Sequence, residues 1–106
     1  MKEITKSEAK VMMVNWNSDE DLGLQEVMSL LEIHYHSDWK PQTVSTFLAR
    51  LTQKGYLNMY RQGRQFLYHV TIPKEEYLQW MLSSLVDFWF DGKKENLLLA
   101  IEQMLR

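Results

Sequence analysis

The chain has 106 residues, a length typical of one domain, and a formal net charge of −2. It contains no cysteine, which excludes disulfides and thiolate metal sites and is consistent with a reducing cytoplasm, where we expect the protein to act. The first ten residues lack an apolar signal core, and no run of about 18 apolar residues occurs. We therefore expect a soluble protein without a membrane partner.

The charge is unevenly distributed along the chain. Residues 1–36 carry −4, residues 37–72 carry +4 and residues 73–106 carry −2. A basic segment within an acidic chain favours local contact with phosphate groups. The central third is therefore the predicted nucleic-acid-binding region.

Two helices are predicted before this basic segment. The sequence TKSE at residues 5–8 matches the capping box, so a helix begins there, and it ends near Trp16. Its apolar positions, which we expect to be buried, are Ala9, Met12, Met13 and Trp16. Residues 19–21 are acidic and are interpreted as a solvated turn. After extended residues at 22–23, a second helix is predicted from Leu24, Val27, Met28 and Leu31.

A third helix is predicted over residues 41–54. Its apolar side chains at i, i+3, i+4 and i+7 are Val44, Phe47, Leu48 and Leu51. Pro41 suits the first helical position, and Gly55 suits the left-handed residue beyond the helix end. One face of this helix should pack, and the opposite polar face is free to contact a partner.

A β-hairpin is predicted over residues 56–70. Residues that favour strands lie on both sides of the polar sequence RQGR at 61–64. Gln62 and Gly63 are the predicted two-residue turn, because glycine accepts the positive φ that such turns require. Two arginines, Arg61 and Arg64, flank this turn.

The C-terminal segment, residues 73–106, is predicted to form two helices that meet near Asp91 and Gly92. Half of its 34 residues are apolar, more than two helices can cover by themselves. We therefore expect a homodimer through this segment. The predicted interface consists of Tyr77, Leu78, Met81, Leu82, Leu85, Phe88, Trp89, Leu97, Leu98, Ile101 and Leu105.

Three groups of residues carry a family resemblance: ITKSEAKVMMVNW at 4–16, then Trp39, Pro41, Thr43, Val44, Thr46, Leu48, Arg50, Leu51, Lys54 and Gly55, and finally Gly63, Arg64, Phe66 and Tyr68. Together with the order of elements, these residues resemble the penicillinase repressor family, whose relatives include methicillin-resistance and copper-responsive repressors. The resemblance implies a mostly α fold with a small hairpin (α+β). It also implies a winged helix-turn-helix over residues 1–72, a dimerisation tail over 73–106, and a bacterial repressor that binds a palindromic operator.

By this resemblance Thr43, Thr46 and Arg50 lie in the major groove, and Arg64 accompanies the wing at the DNA backbone. The side chains of this helix are also chemically suited to base edges. Gln can form two hydrogen bonds with adenine, Arg can form two with guanine, and the Thr methyl group can contact a thymine methyl group. The full set of predicted DNA-binding residues is Lys40, Gln42, Thr43, Ser45, Thr46, Arg50, Lys54, Arg61 and Arg64.

The chain departs from the family pattern in four places. Lys40 stands where the family has a small hydroxyl residue that caps the third helix, which enters the major groove and is called the recognition helix. A lysine side chain cannot accept hydrogen bonds from the backbone N–H groups of the first helical turn. The cysteines of the copper-responsive relatives are absent. Ala100 and Ile101 occupy the place of the Asn-Phe pair that is cleaved in penicillin-responsive relatives. The chain also stops at Arg106, before a further dimerisation helix of the family.

Two other functions remain open on the sequence alone. One is a winged-helix protein-interaction module that does not bind DNA, and the other is an effector-sensing repressor with a pocket formed by Trp80, Phe88, Trp89 and Phe90. No metal site is predicted from His34, His36 and His69. No cofactor and no enzymatic activity are expected, because the phosphate-binding, nucleophile-elbow and zinc-protease motifs are missing. The operator, the genes controlled and the inducer are not encoded in recognisable form.

Overall fold

The computed structural model describes all 106 residues as five helices and one two-stranded antiparallel sheet. The elements are α1 (Lys6–Trp16), α2 (Leu24–Tyr35), α3 (Pro41–Gln53), β1 (Leu57–Gln62), β2 (Gln65–Val70), α4 (Lys74–Trp89) and α5 (Lys94–Met104). This confirms the predicted α+β class. The chain divides into two compact units, Met1–Pro73 and Lys74–Arg106. None of the helices combines the length and apolar character needed to cross a membrane.

The core of the first unit lies where α1 packs against α2 and α3, and where α3 packs against β1. Burying large apolar side chains in such a core contributes roughly 1.5 to 3 kcal/mol each. The fully buried apolar side chains are Val11, Met12, Val27, Leu31, Val44, Leu48, Leu51 and Tyr56. The core therefore fixes α3 by its apolar stripe.

The buried side of α1 differs from the prediction. The capping box is present, but the central buried stripe runs through Glu8, Val11, Met12 and Asn15. Ala9, Met13 and Trp16 are only half-buried. A search for apolar periodicity misses this stripe because both of its ends are polar. Asn15 is satisfied by donating from Nδ2 to the carbonyl of Val11 at 2.9 Å.

The hairpin has its turn one residue later than predicted. Gln62 pairs with Gln65, so the two central residues are Gly63 and Arg64 rather than Gln62 and Gly63. Gly63 has φ +65 and Arg64 is not among the residues with positive φ, as in a type II′ turn. Leu22, extended as predicted, adds a bridge to this sheet, since its carbonyl accepts the Tyr68 N–H at 2.9 Å.

The second unit consists of α4 and α5. Asp91 (φ +52) and Gly92 (φ +77) turn the chain between them, and the Gly92 N–H donates to the carbonyl of Val86 at 3.0 Å. Val86 is the single residue of these two helices that is buried. Most of the apolar surface of this unit is therefore still accessible.

Candidate nucleic-acid interface

The third helix presents two chemically different faces. Val44, Leu48 and Leu51 are buried, and Phe47 contacts the ring of Trp39 with centroids 5.0 Å apart. The opposite face is exposed and mostly polar, and it consists of Gln42, Thr43, Ser45, Thr46, Ala49, Arg50 and Gln53. Most of the predicted DNA-binding residues are thus brought together on one surface. The Thr46 hydroxyl donates to the Gln42 carbonyl at 2.9 Å, so its hydrogen is already engaged.

The start of α3 is held by backbone and aromatic contacts rather than by a side-chain cap. Lys40 is the N-cap residue and makes no side-chain cap bond, but its carbonyl accepts the N–H of Thr43 at 3.0 Å. Behind it, the Lys10 ammonium lies 5.8 Å from the ring centroid of Tyr35 and 5.9 Å from that of Trp39. The Lys40 side chain is therefore exposed and free of a capping role.

Lys54 is not available to DNA in the way the sequence suggested. Its ammonium donates to Glu8 Oε1 at 2.7 Å and to the carbonyl of Glu3 at 3.0 Å, and Glu8 is only 1% exposed. The same Glu8 oxygen accepts the Thr5 N–H at 2.8 Å. The assignment of Lys54 to the DNA surface is therefore corrected, because this cation neutralises a buried carboxylate.

The tip of the hairpin carries the two predicted arginines. Both are exposed, and Arg61 donates from Nε to the Gly63 carbonyl at 3.0 Å, across the turn. Arg64 occupies the second central position of the turn and projects from the end of the hairpin. Two guanidinium groups at one tip form a compact cationic end, suited to phosphate oxygens.

One contact between distant residues of the first unit is not predicted by the sequence. Asp21, which the sequence predicts to be part of a solvated turn, accepts a hydrogen bond from the Tyr60 hydroxyl at Oδ2 (2.6 Å), and its Oδ1 lies 3.1 Å from Nδ1 of His69. The hydrogen bond from Tyr60 lowers the pKa of Asp21 below its ordinary value of 3.8, and the contact with His69 contributes a smaller shift in the same direction. These partners are 39 and 48 residues away in sequence, so no local pattern could have revealed them.

The tail exposes large apolar side chains along both of its helices. Phe88 and Trp89, whose rings meet edge to face at 5.0 Å, are 76% and 72% exposed, and Leu98 is 65% exposed. Of the predicted interface, the exposed residues are Leu82, Phe88, Trp89, Leu98, Ile101 and Leu105, and the half-buried ones are Tyr77, Leu78, Met81, Leu85 and Leu97.

A groove of about 340 Å³ separates the two tail helices, with Leu82, Val86, Leu97 and Leu98 in its lining. Trp80, Phe88, Trp89 and Phe90, the side chains of the alternative effector pocket, do not line this groove. Ala100 and Ile101 lie within α5.

The three histidines do not form a cluster. No group of three or more His, Asp or Glu side chains is placed so that it could hold a metal ion. His36 ends α2 with φ +53, and His69 is the partner of Asp21.

An exposed polar helix, preceded by a packed helix and followed by a hairpin with a cationic tip, defines a winged helix-turn-helix protein. The family model described as penicillinase repressor matches residues 4–104. The chain belongs to this family.

Individual relatives agree with this membership. The chain is 31% identical to the penicillinase repressor of Bacillus licheniformis over 97 residues, which cover 92% of this chain and 73% of that protein. It is 26% identical to the methicillin resistance regulatory protein MecI of Staphylococcus aureus over 70% of this chain, and spans 58% of that relative's length.

Among solved structures, the monomeric form of Bacillus licheniformis BlaI in complex with the blaP half-operator has a TM-score of 0.58 and 36% identity. This match covers 72% of the present chain and 89% of that structure's chain.

Proposed function

We propose that the protein is a bacterial transcriptional repressor that acts in the cytoplasm and binds a palindromic DNA operator as a homodimer. The observation that carries the proposal is the exposed polar face of α3 together with the exposed arginines at the tip of the hairpin, both within the one basic segment of an acidic chain. The related BlaI structure was determined with a half-operator, which supports the same partner here.

In this proposal α3 enters the major groove. Gln42 and Arg50 are exposed on its free face and carry the side chains that bridge adenine and guanine, respectively. Since the Thr46 hydroxyl donates to the Gln42 carbonyl, its methyl group is the part suited to a thymine methyl group. Thr43 and Ser45 complete this surface, and Lys40 contacts phosphate at the start of the helix.

The hairpin, which we call the wing (residues 57–70), lies along the DNA backbone. Arg61 and Arg64 supply positive charge at its tip, where each phosphate neutralised releases condensed counterions. Contacts of this kind hold the protein in register but do not discriminate between sequences. The wing therefore contributes affinity, and α3 contributes specificity.

The dimer is formed through the tail. A second copy is the occupant proposed for its apolar surface, because Phe88, Trp89 and Leu98 are exposed and the same unit carries a groove lined in part by Leu98 and other apolar side chains. Symmetric association allows each copy to offer side chains to the groove of the other. The two recognition helices would then meet successive major grooves, about one helical turn apart.

Substitution of Arg50 and of Arg64 should have different consequences. Arg50→Ala is expected to weaken binding to the operator by roughly 5- to 150-fold and to reduce discrimination against altered operators, since a bidentate base contact is worth about 1 to 3 kcal/mol. Arg64→Ala should weaken binding to all duplexes alike and make the slope of log K against log salt shallower by about 0.9. Fluorescence anisotropy with operator and scrambled duplexes measures both.

Arg106→Ala is the matched control, because it removes an exposed arginine from the tail and leaves α3 and the wing intact. Wild-type affinity and discrimination in both Arg50→Ala and Arg64→Ala would rule out the assigned DNA surface.

A further inference from the structure

A single carboxylate joins both strands of the wing to the body of the first unit. Asp21 lies in the connection between α1 and α2, immediately before Leu22, which bridges to Tyr68. Its Oδ2 accepts the hydroxyl hydrogen of Tyr60 on β1 at 2.6 Å, and its Oδ1 lies 3.1 Å from Nδ1 of His69 on β2. We call these three side chains the wing latch.

The register shows why one residue can hold both strands. Asn58 pairs with His69 and Tyr60 pairs with Leu67, so Tyr60 and His69 share one face of the hairpin as diagonal neighbours. Beyond them only two further pairs, Arg61 with Phe66 and Gln62 with Gln65, precede the turn. The wing latch is thus the last side-chain attachment that we find before the tip.

The outer half of the wing has little packing of its own. Met59 is 45% exposed, Phe66 is 49% exposed, and all residues from 58 to 66 are exposed. A two-stranded hairpin without packing is marginally stable in water. The wing latch, which attaches the hairpin near its midpoint, therefore limits the range of orientations that the tip can adopt.

The negative charge of Asp21 also affects DNA binding. A carboxylate near a surface that meets DNA opposes phosphate binding, and the hydrogen bond from Tyr60 and the contact with His69 favour the charged form of Asp21 by lowering its pKa. A position that carries an electrostatic cost for DNA binding can still raise affinity if it orders the cationic tip.

We propose that Asp21 is a positioning residue for DNA binding, which acts through Tyr60 and His69 to fix the direction in which Arg64 meets the DNA backbone. This inference rests on the proposed function. It assigns to an acidic residue outside both α3 and the wing a favourable effect on operator affinity.

A double-mutant cycle tests the proposal. Asp21→Ala is expected to lower operator affinity about 5-fold, and Arg64→Ala should then cost about 5-fold less in the Asp21→Ala background than in the wild type, as expected for coupled sites. Arg50→Ala should cost the same in both backgrounds, because the wing latch does not act on α3. Tyr60→Phe removes one hydroxyl oxygen and no charge, and the protein should remain fully folded. In this background too, Arg64→Ala should cost less affinity than it does in the wild type.

Asp19→Ala is the control for charge, since it removes an exposed carboxylate from the same connection. The wing latch is refuted if Arg64→Ala costs the same in the wild type, Asp21→Ala and Tyr60→Phe backgrounds, or if Asp19→Ala gives the same coupling. If the wild-type protein binds the operator but the affinity losses of Asp21→Ala and Arg64→Ala are additive, the wing latch alone is refuted. Wild-type protein that binds no duplex overturns the proposed function and, with it, the role of Asp21.

Discussion

Glu8→Ala is expected to lower the free energy of unfolding of the first unit by about 2 to 3 kcal/mol. Glu8 is buried and accepts hydrogen bonds from the Lys54 ammonium at 2.7 Å and from the Thr5 N–H at 2.8 Å. Its removal leaves the Thr5 N–H without its acceptor and the Lys54 ammonium with the Glu3 carbonyl but no carboxylate, although Lys54, whose side chain is 25% exposed, recovers some hydration. Urea unfolding followed by circular dichroism measures the change.

The loss of folding stability at acidic pH should depend on the same Glu8–Lys54 pair. Burial by itself would raise the pKa of Glu8, but the hydrogen bonds from Lys54 and Thr5 and the charge of Lys54 together bring the pKa below its ordinary value of 4.5. A depressed folded pKa gives stability that is present above about pH 4.5 and is lost as the pH falls through the folded value. Below pH 4.5 the wild type should therefore lose stability more steeply than Glu8→Gln.

Glu3→Ala is the matched control for this prediction. The Glu3 side chain is exposed, and Lys54 binds its backbone carbonyl, which alanine retains. A loss below about 0.5 kcal/mol in Glu8→Ala, within the range of ordinary surface substitutions, would show that the Glu8–Lys54 pair does not stabilise the unit.

Leu98→Asp is expected to convert the proposed dimer into a monomer and to reduce affinity for a full palindromic operator by about 100-fold or more. Leu98 is 65% exposed on α5 and lines the groove of the tail, so a carboxylate there would have to be buried in an apolar interface. Losing the dimer removes the effective concentration that the first bound unit gives the second, which is worth about 10²- to 10⁴-fold. Affinity for a half-operator should change little.

Sedimentation at micromolar concentration and anisotropy with full and half operators measure these effects. Gln103→Asp adds the same charge at an exposed polar position of the same helix and should remain dimeric. A wild-type monomer at this concentration, or a Leu98→Asp protein that still forms the wild-type dimer, would contradict dimerisation through the tail.

Local sequence patterns predicted the elements that carry the proposed function. The stripe of Val44, Leu48 and Leu51 is buried as expected, because helical periodicity and burial depend on the same geometry. The capping box at Thr5 and Glu8 formed because both of its partners lie within one helical turn. Gly63 was recognised as a turn residue, but glycine suits either central position of a tight turn, so the register was misplaced by one residue.

Contacts between distant residues were not predictable in the same way. Lys54 has the appearance of a phosphate-binding cation in the basic segment, at the end of α3, yet its partner Glu8 lies 46 residues earlier in the chain. Asp21 has the appearance of a solvated turn residue, and its partner Tyr60 lies 39 residues later. Composition cannot distinguish a free charge from a paired one, because pairing depends on how α1, α3 and the wing pack together.

Binding of the purified protein to the DNA upstream of its own gene, measured against a scrambled duplex of equal length, tests the proposed function most directly. The predicted result is tighter binding to the upstream duplex, with log K falling linearly against log salt by about 0.9 for each phosphate contacted. Equal affinity for both duplexes, or affinity that does not change with salt, would contradict a repressor that reads its operator with α3 and holds the backbone with the wing.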